Sequence, residues 1–90
     1  MERCHLIVYG KVQGVGFRRY TRRKAILYQI KGWICNKDNG TVEIVAQGSP
    51  VKMRSFIRAV KKGSKKSEVN RIKLFKSDDI NSYRKFIVRY

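Results

Sequence analysis

Apolar and polar residues alternate in five stretches of this 90-residue chain, and such alternation is typical of half-buried β-strands. In the first stretch Leu6 and Val8 share one predicted face, while His5, Ile7 and Tyr9 share the other. In the last stretch the alternating residues are Phe86, Val88 and Tyr90. The pattern therefore predicts strands over residues 3–9, 32–36, 41–47, 69–75 and 85–90.

Two other segments have the spacing of helices. The first is predicted from Phe17 to Gln29, although its apolar stripe is weak. The second starts at Ser49-Pro50, where a capping hydroxyl precedes a proline at the first helical position. It is predicted to run to Lys62 and to stop at Gly63. Its core positions are Met53, Phe56, Ile57 and Val60.

The elements follow one another as βαββαβ, with a short strand at the end. Asn39-Gly40 predicts a hairpin between the second and third strands. This order favours an α+β fold of the ferredoxin-like type, in which two helices cover one face of an antiparallel sheet. The other face of the sheet would be open to solvent. Residues 1–90 are predicted to form one domain.

The charge of the chain is strongly positive. Lys and Arg number 22 against 6 Asp and Glu, which gives a net charge of +16. The excess is concentrated in segments 18–31 and 52–76. A field of this sign steers anionic substrates and promotes non-specific binding of polyanions, nucleic acids included. Because like charges repel, we expect a monomer.

No stretch is apolar enough to span a bilayer, and no signal-peptide pattern is present. A soluble, cytoplasmic protein without a membrane partner is expected. Cys4 and Cys35 have neither zinc-site nor disulfide spacing, so we interpret them as free, mostly buried thiols. His5 has no nucleophile beside it and is interpreted as structural. Asp78-Asp79 lies in a predicted turn.

The segment Gly10–Arg18 connects the first strand to the first helix and contains three glycines. Glycine permits positive φ, so successive N–H groups can converge on an anion at the positive end of the helix dipole. Arg18 adds a planar fork of donors that matches a phosphate or carboxylate. The spacing does not fit a Walker loop or a dinucleotide fingerprint. A tight turn with a solvated arginine remains the alternative at this point.

Residues 10–18 match the pattern Gly-x-Val-Gln-Gly-Val-x-Phe-Arg, which is the first signature of the acylphosphatases. The second signature of that family is met by Gly32, Trp33, Asn36, Gly40, Val42 and Gly48. The chain therefore resembles the acylphosphatase family, and the βαββαβ order of its elements extends the resemblance over the whole length. It departs from the family pattern at Ile34-Cys35, at Tyr28-Gln29 where Leu-Gly is common, and at Ser64-Lys65 where prolines are frequent.

The resemblance implies hydrolysis of a small acyl phosphate to a carboxylate and inorganic phosphate, without a metal or cofactor. It implies that main-chain amides of the loop hold the phosphate, that Arg18 clamps it, and that Asn36 orients the attacking water. The loop amides are those of Gln13, Gly14, Val15 and Gly16.

The sequence is also compatible with two alternatives to a free-standing enzyme. The first is a basic nucleic-acid-binding module that uses the open sheet face, where Ile7 and Tyr9 are expected. No stretch of the chain matches the aromatic motif of RNA-recognition domains. The second is an acylphosphatase-like domain within a carbamoyl-transfer machine, which a single-domain chain makes less favourable.

Overall fold

A computed structural model describes residues 1–90 as seven elements around one sheet. The elements are β1 (Glu2–Lys11), α1 (Phe17–Leu27), β2 (Lys31–Asn36), β3 (Val42–Gly48), α2 (Pro50–Lys62), β4 (Glu68–Ser77) and β5 (Phe86–Arg89). The strands are arranged in the order β4-β1-β3-β2-β5. Both helices pack on one face of the sheet, so the α+β, ferredoxin-like prediction is confirmed.

One strand pairing differs from the predicted antiparallel sheet. β5 lies parallel to β2, with Phe86 opposite Gly32 and Val88 opposite Ile34, whereas the other three pairings are antiparallel. The segment 78–85 carries the chain from the β4 edge to the opposite edge, where β5 runs in the same direction as β2. The sheet is therefore mixed.

The core consists of the inward positions of the predicted alternation. Leu6 and Val8 are fully buried, and Thr21 is buried on α1. Tyr90 was predicted to continue the alternation of the last strand, but β5 ends at Arg89 and Tyr90 is fully exposed. Its ring instead contacts a side chain of the candidate site described below.

The end of α1 also differs from the prediction, because the helix stops at Leu27 rather than at Gln29. The amide of Ile30 donates to the carbonyl of Ala25, and the amide of Gln29 donates to that of Ile26. These two bonds form a Schellman motif, in which one residue takes the left-handed conformation. That residue is Gln29, with a φ of 56°. Left-handed backbone costs a residue with a side chain roughly 1–2 kcal/mol.

Gln29→Gly is therefore expected to stabilise the protein by about 1 kcal/mol, because glycine takes positive φ without a steric penalty. For a domain of this size the melting temperature would rise by roughly 4–8 °C in a thermal unfolding experiment. Lys24→Gly, which places glycine at a regular position inside the same helix, is the control and should lower it. An unchanged or lower melting temperature for Gln29→Gly would contradict the assignment of strain.

The second helix confirms its predicted limits. The Ser49 hydroxyl accepts a hydrogen bond from the amide of Lys52, and Pro50 occupies the first turn. At the other end Gly63 has a φ of 76°, and its amide donates to the carbonyl of Ala59. Local capping chemistry thus sets both ends of α2.

The open face of the sheet holds an ion-paired carboxylate. Glu43 accepts from His5 Nε2 at 2.6 Å and contacts Lys37 Nζ at 3.3 Å. Burial alone would raise the pKa of the Glu43 carboxyl, but the hydrogen bonds from His5 and Lys37 outweigh it and hold the pKa below its ordinary value. Ionised Glu43 therefore stabilises the folded state at neutral pH.

Because the pKa of Glu43 is lowered on folding, its contribution is present above the ordinary value of 4.5 and is lost as the pH falls through the folded value. Glu43→Gln should lower the melting temperature at pH 7, and the difference from the native protein should shrink as the pH drops below about 4.5. Glu68→Gln, at an exposed strand end, makes the same charge change and is the control. A difference that stays constant down to pH 3 would rule out this role.

Candidate active site

The glycine loop ends β1 and starts α1. Gly14 and Gly16 have φ values of 72° and 76°, and Gly16 is the N-cap of α1 without a side-chain capping bond. A Cβ at either position would meet open space, so the positive φ and not crowding calls for glycine. The main-chain amides of residues 13–19 have no acceptor within the protein. Unpaired donors at a helix N-terminus form a binding site for an anion.

Arg18 lies in the first turn of α1, next to these amides. Its Nη1 donates to the carbonyl of Arg89 at 3.2 Å, and its guanidinium lies 4.6 Å from the centre of the Tyr90 ring. The end of the chain therefore holds one side of the guanidinium in place. Its remaining N–H groups have no acceptor in the protein and can donate to a ligand.

A cavity of about 720 Å³ lies between the N-terminal part of α1 and β5. Gly14, Gly16 and Arg18 line it. Its other charged lining residues are all cations, namely Arg19, Arg22 and Lys85. Because every charged side chain that lines the cavity is a cation, the lining favours small anions.

Asn36 is the last residue of β2 and lies on the helix side of the sheet, in register with Val42 and through it with Val8. Its side-chain Oδ1 is buried and has no hydrogen-bond donor in the protein. Asn36 does not line the cavity beside Arg18. A buried acceptor without a donor costs roughly 1–3 kcal/mol, so it favours binding of a molecule with a proton to donate.

The side chain of Gln13 connects the loop to the end of β2, a role that the sequence alone does not predict. Its Nε2 donates to the carbonyls of Lys37 and Thr41, at 2.8 and 2.9 Å. Lys37 follows Asn36 directly, so these bonds place the loop beside Asn36. The connection between α2 and β4 also holds the loop, because the Ser64 hydroxyl donates to the carbonyl of Val15 at 3.2 Å.

Gln13→Glu keeps the size of the side chain but replaces its two donors with a carboxylate that faces two carbonyl oxygens. We expect a loss of about 1 kcal/mol, seen as a melting temperature lower by roughly 4–8 °C. Gln13→Ala, which removes the bonds without adding repulsion, should lie between this variant and the native protein. If Gln13→Glu melts at the native temperature, the side chain does not hold the loop.

The other candidates do not join this site. His5 pairs with Glu43 on the open face, which agrees with its interpretation as a structural residue. Asp78 and Asp79 are exposed, and the Asp79 amide donates a hydrogen bond to the Ser77 hydroxyl. Cys4 is a buried free thiol whose pKa is raised by burial and by Glu2, while Lys76 opposes the shift. Cys35 is half-buried and also free.

The chain contains no group of three or more His, Cys, Asp or Glu side chains placed to hold a metal ion. Neither of its helices has the length and apolar character to cross a membrane.

Fold and site together define a ferredoxin-like α+β protein with unpaired main-chain amides and an arginine at the N-terminus of its first helix. Comparison with known families identifies it further. The model of the acylphosphatase family matches residues 4–88. The chain belongs to the acylphosphatase family and is an enzyme of that family, a hydrolase.

Its relatives match along the entire chain. An acylphosphatase of Bacillus licheniformis is 38% identical over 90 residues, which is 100% of both chains. The crystal structure of acylphosphatase from Bacillus subtilis has a TM-score of 0.98 at 39% identity and covers 100% of both chains. The structure of HypF from T. kodakarensis has a TM-score of 0.86 at 30% identity over 99% of this chain and 12% of its own. The same fold thus also occurs within a much longer protein.

Proposed function

We propose that this acylphosphatase hydrolyses the carboxyl–phosphate bond of small acyl phosphates without a metal ion. The observation that carries the proposal is the run of unpaired amides at residues 13–19 with Arg18 beside them. The amides of Gln13, Gly14, Val15 and Gly16 bind the phosphoryl oxygens, and Arg18 donates to the same oxygens from the side of β5. Donors fixed in this way stabilise the charge of the transferring phosphoryl group without reorganising.

In the proposed reaction the oxygen of a water molecule bonds to phosphorus while the bond between phosphorus and the carboxyl oxygen breaks. The carboxylate leaves with the electron pair of that bond, and the protons of the water pass to the phosphate product and to solvent. Because a carboxylate is a good leaving group, the enzyme has mainly to position the water and the phosphoryl group. Asn36 positions the water, since its Oδ1 receives no hydrogen bond from the protein and can accept one from the water.

The same proposal places the enzyme in the cytoplasm as a monomer. The two free thiols are typical of a reducing compartment. The net charge of +16 makes copies of the chain repel one another.

The test is release of phosphate from benzoyl phosphate in the presence of EDTA. We expect turnover that EDTA does not change and that inorganic phosphate inhibits competitively. A phosphate monoester such as p-nitrophenyl phosphate should react far more slowly, because its leaving group is poorer. Loss of turnover on chelation, or no competition by phosphate, would contradict the proposed mechanism.

A further inference from the structure

One row of mostly apolar and aromatic side chains crosses the open face of the sheet, opposite the helices. Each residue of the row lies directly opposite the next one on the neighbouring strand. In spatial order the central row consists of Phe75, His5, Val45, Trp33 and Ile87. Its five strands span four inter-strand spacings, or roughly 19 Å. Phe75 is 58% and Ile87 39% exposed, so both ends of the row face solvent. His5 and Trp33 are half-buried, and Val45 in the middle of the row is buried.

Cations flank the central row on both sides. The next row begins with Lys73 and ends with Arg89, and Arg71 lies one step further along β4. On the other side of the central row the strands carry Arg3 and Lys31, with Gln47 between them bonded to Asn81 of segment 78–85. Cations therefore lie on both sides of the central row.

Several of these cations lie over aromatic rings. The Arg89 guanidinium is 4.7 Å from the centre of the Trp33 ring, and that of Arg71 is 5.1 Å from the Tyr9 ring. Such pairs hold the cations close to flat apolar surface. The acid within the next row, Glu43, is compensated by its contacts with His5 and Lys37.

We propose that this open face binds single-stranded nucleic acid, independently of the hydrolytic site. Unpaired bases would stack on the central row and on the guanidinium planes, while phosphates would contact the flanking cations. A duplex hides its base faces and cannot use the row. A second copy of this chain is disfavoured as the occupant, because both copies carry a charge of +16.

Trp33 is the only tryptophan, so its fluorescence reports binding at the row directly. The probe is an oligouridylate of about 12 nucleotides, added to the full chain with inorganic phosphate in excess to occupy the hydrolytic site. We expect saturable quenching by the single strand and far weaker quenching by the corresponding duplex or by inorganic polyphosphate. The proposal is overturned if phosphate abolishes the quenching, if polyphosphate or phosphatidylserine vesicles reproduce it, or if the single strand gives none.

Matched variants locate the surface. Phe75→Ala should weaken binding by on the order of tenfold, whereas Leu27→Ala, at an equally exposed apolar residue of α1, should not. The logarithm of the association constant falls as the logarithm of the salt concentration rises, and Arg71→Gln combined with Lys73→Gln should make this slope less steep by about 1.4. The control is Arg58→Gln combined with Lys62→Gln on α2, which makes the same charge change. It should change the steepness of the salt dependence less. Equal effects of Phe75→Ala and Leu27→Ala would show that the central row does not bind the strand, and equal effects of the two double variants would show that binding depends on net charge rather than on this face.

Discussion

Arg18→Lys is expected to lower kcat/KM for benzoyl phosphate by on the order of 10²- to 10³-fold, although the charge is kept. The guanidinium can donate to the Arg89 carbonyl through Nη1 and still present other N–H groups to phosphoryl oxygens. An ammonium group places its donors on a single nitrogen and cannot reproduce the fork. The inhibition constant of inorganic phosphate should weaken as well, since the proposed contact is to the phosphate itself.

Arg23→Lys is the matched control for this experiment. Arg23 lies on the same helix but is exposed and does not line the cavity, so its replacement should leave turnover and phosphate inhibition unchanged. Thermal unfolding of both variants would show whether either has lost its fold. Near-native rates for Arg18→Lys would remove Arg18 from the proposed mechanism.

Features set by nearby residues could be predicted from the sequence. The limits of α2 follow from Ser49, Pro50 and Gly63, because capping depends on neighbouring residues only. The loop was predicted for the same reason, since positive φ at Gly14 and Gly16 is a local property. The inward positions of β1 follow from simple alternation.

Features that depend on distant residues could not be predicted in this way. The parallel pairing of β5 with β2 depends on where segment 78–85 crosses the sheet. The bonds from Gln13 to the β2–β3 connection and from Ser64 to Val15 join residues far apart in sequence. Alternation places residues on a face but does not align one strand with the next, so the central row emerges only from the register.

The end of α1 shows how tertiary structure overrides local preference. A glycine at position 29 would have signalled the Schellman motif, but glutamine gives no such signal. Gln29 is nevertheless left-handed, because Ile30 must turn into the core, where it is 2% exposed. Burial of Ile30 offsets the backbone strain.

Asn36→Ala is expected to reduce kcat for benzoyl phosphate by on the order of 10²- to 10³-fold while the inhibition constant of phosphate changes little. This split follows from the proposed roles, because Asn36 contacts the water and the loop contacts the phosphate. It is opposite to the pattern expected for Arg18→Lys, in which both quantities change. The two variants together therefore separate positioning of the water from binding of the phosphate.

The stability of Asn36→Ala gives an independent check. Because Oδ1 of Asn36 is buried without a donor, its removal should leave the melting temperature unchanged or raise it. Asn70→Ala, at an exposed position of β4, is the control and should change neither stability nor turnover. A fall in both melting temperature and kcat for Asn36→Ala would mean that Asn36 supports the fold. A large loss of phosphate affinity would place it among the phosphate ligands instead.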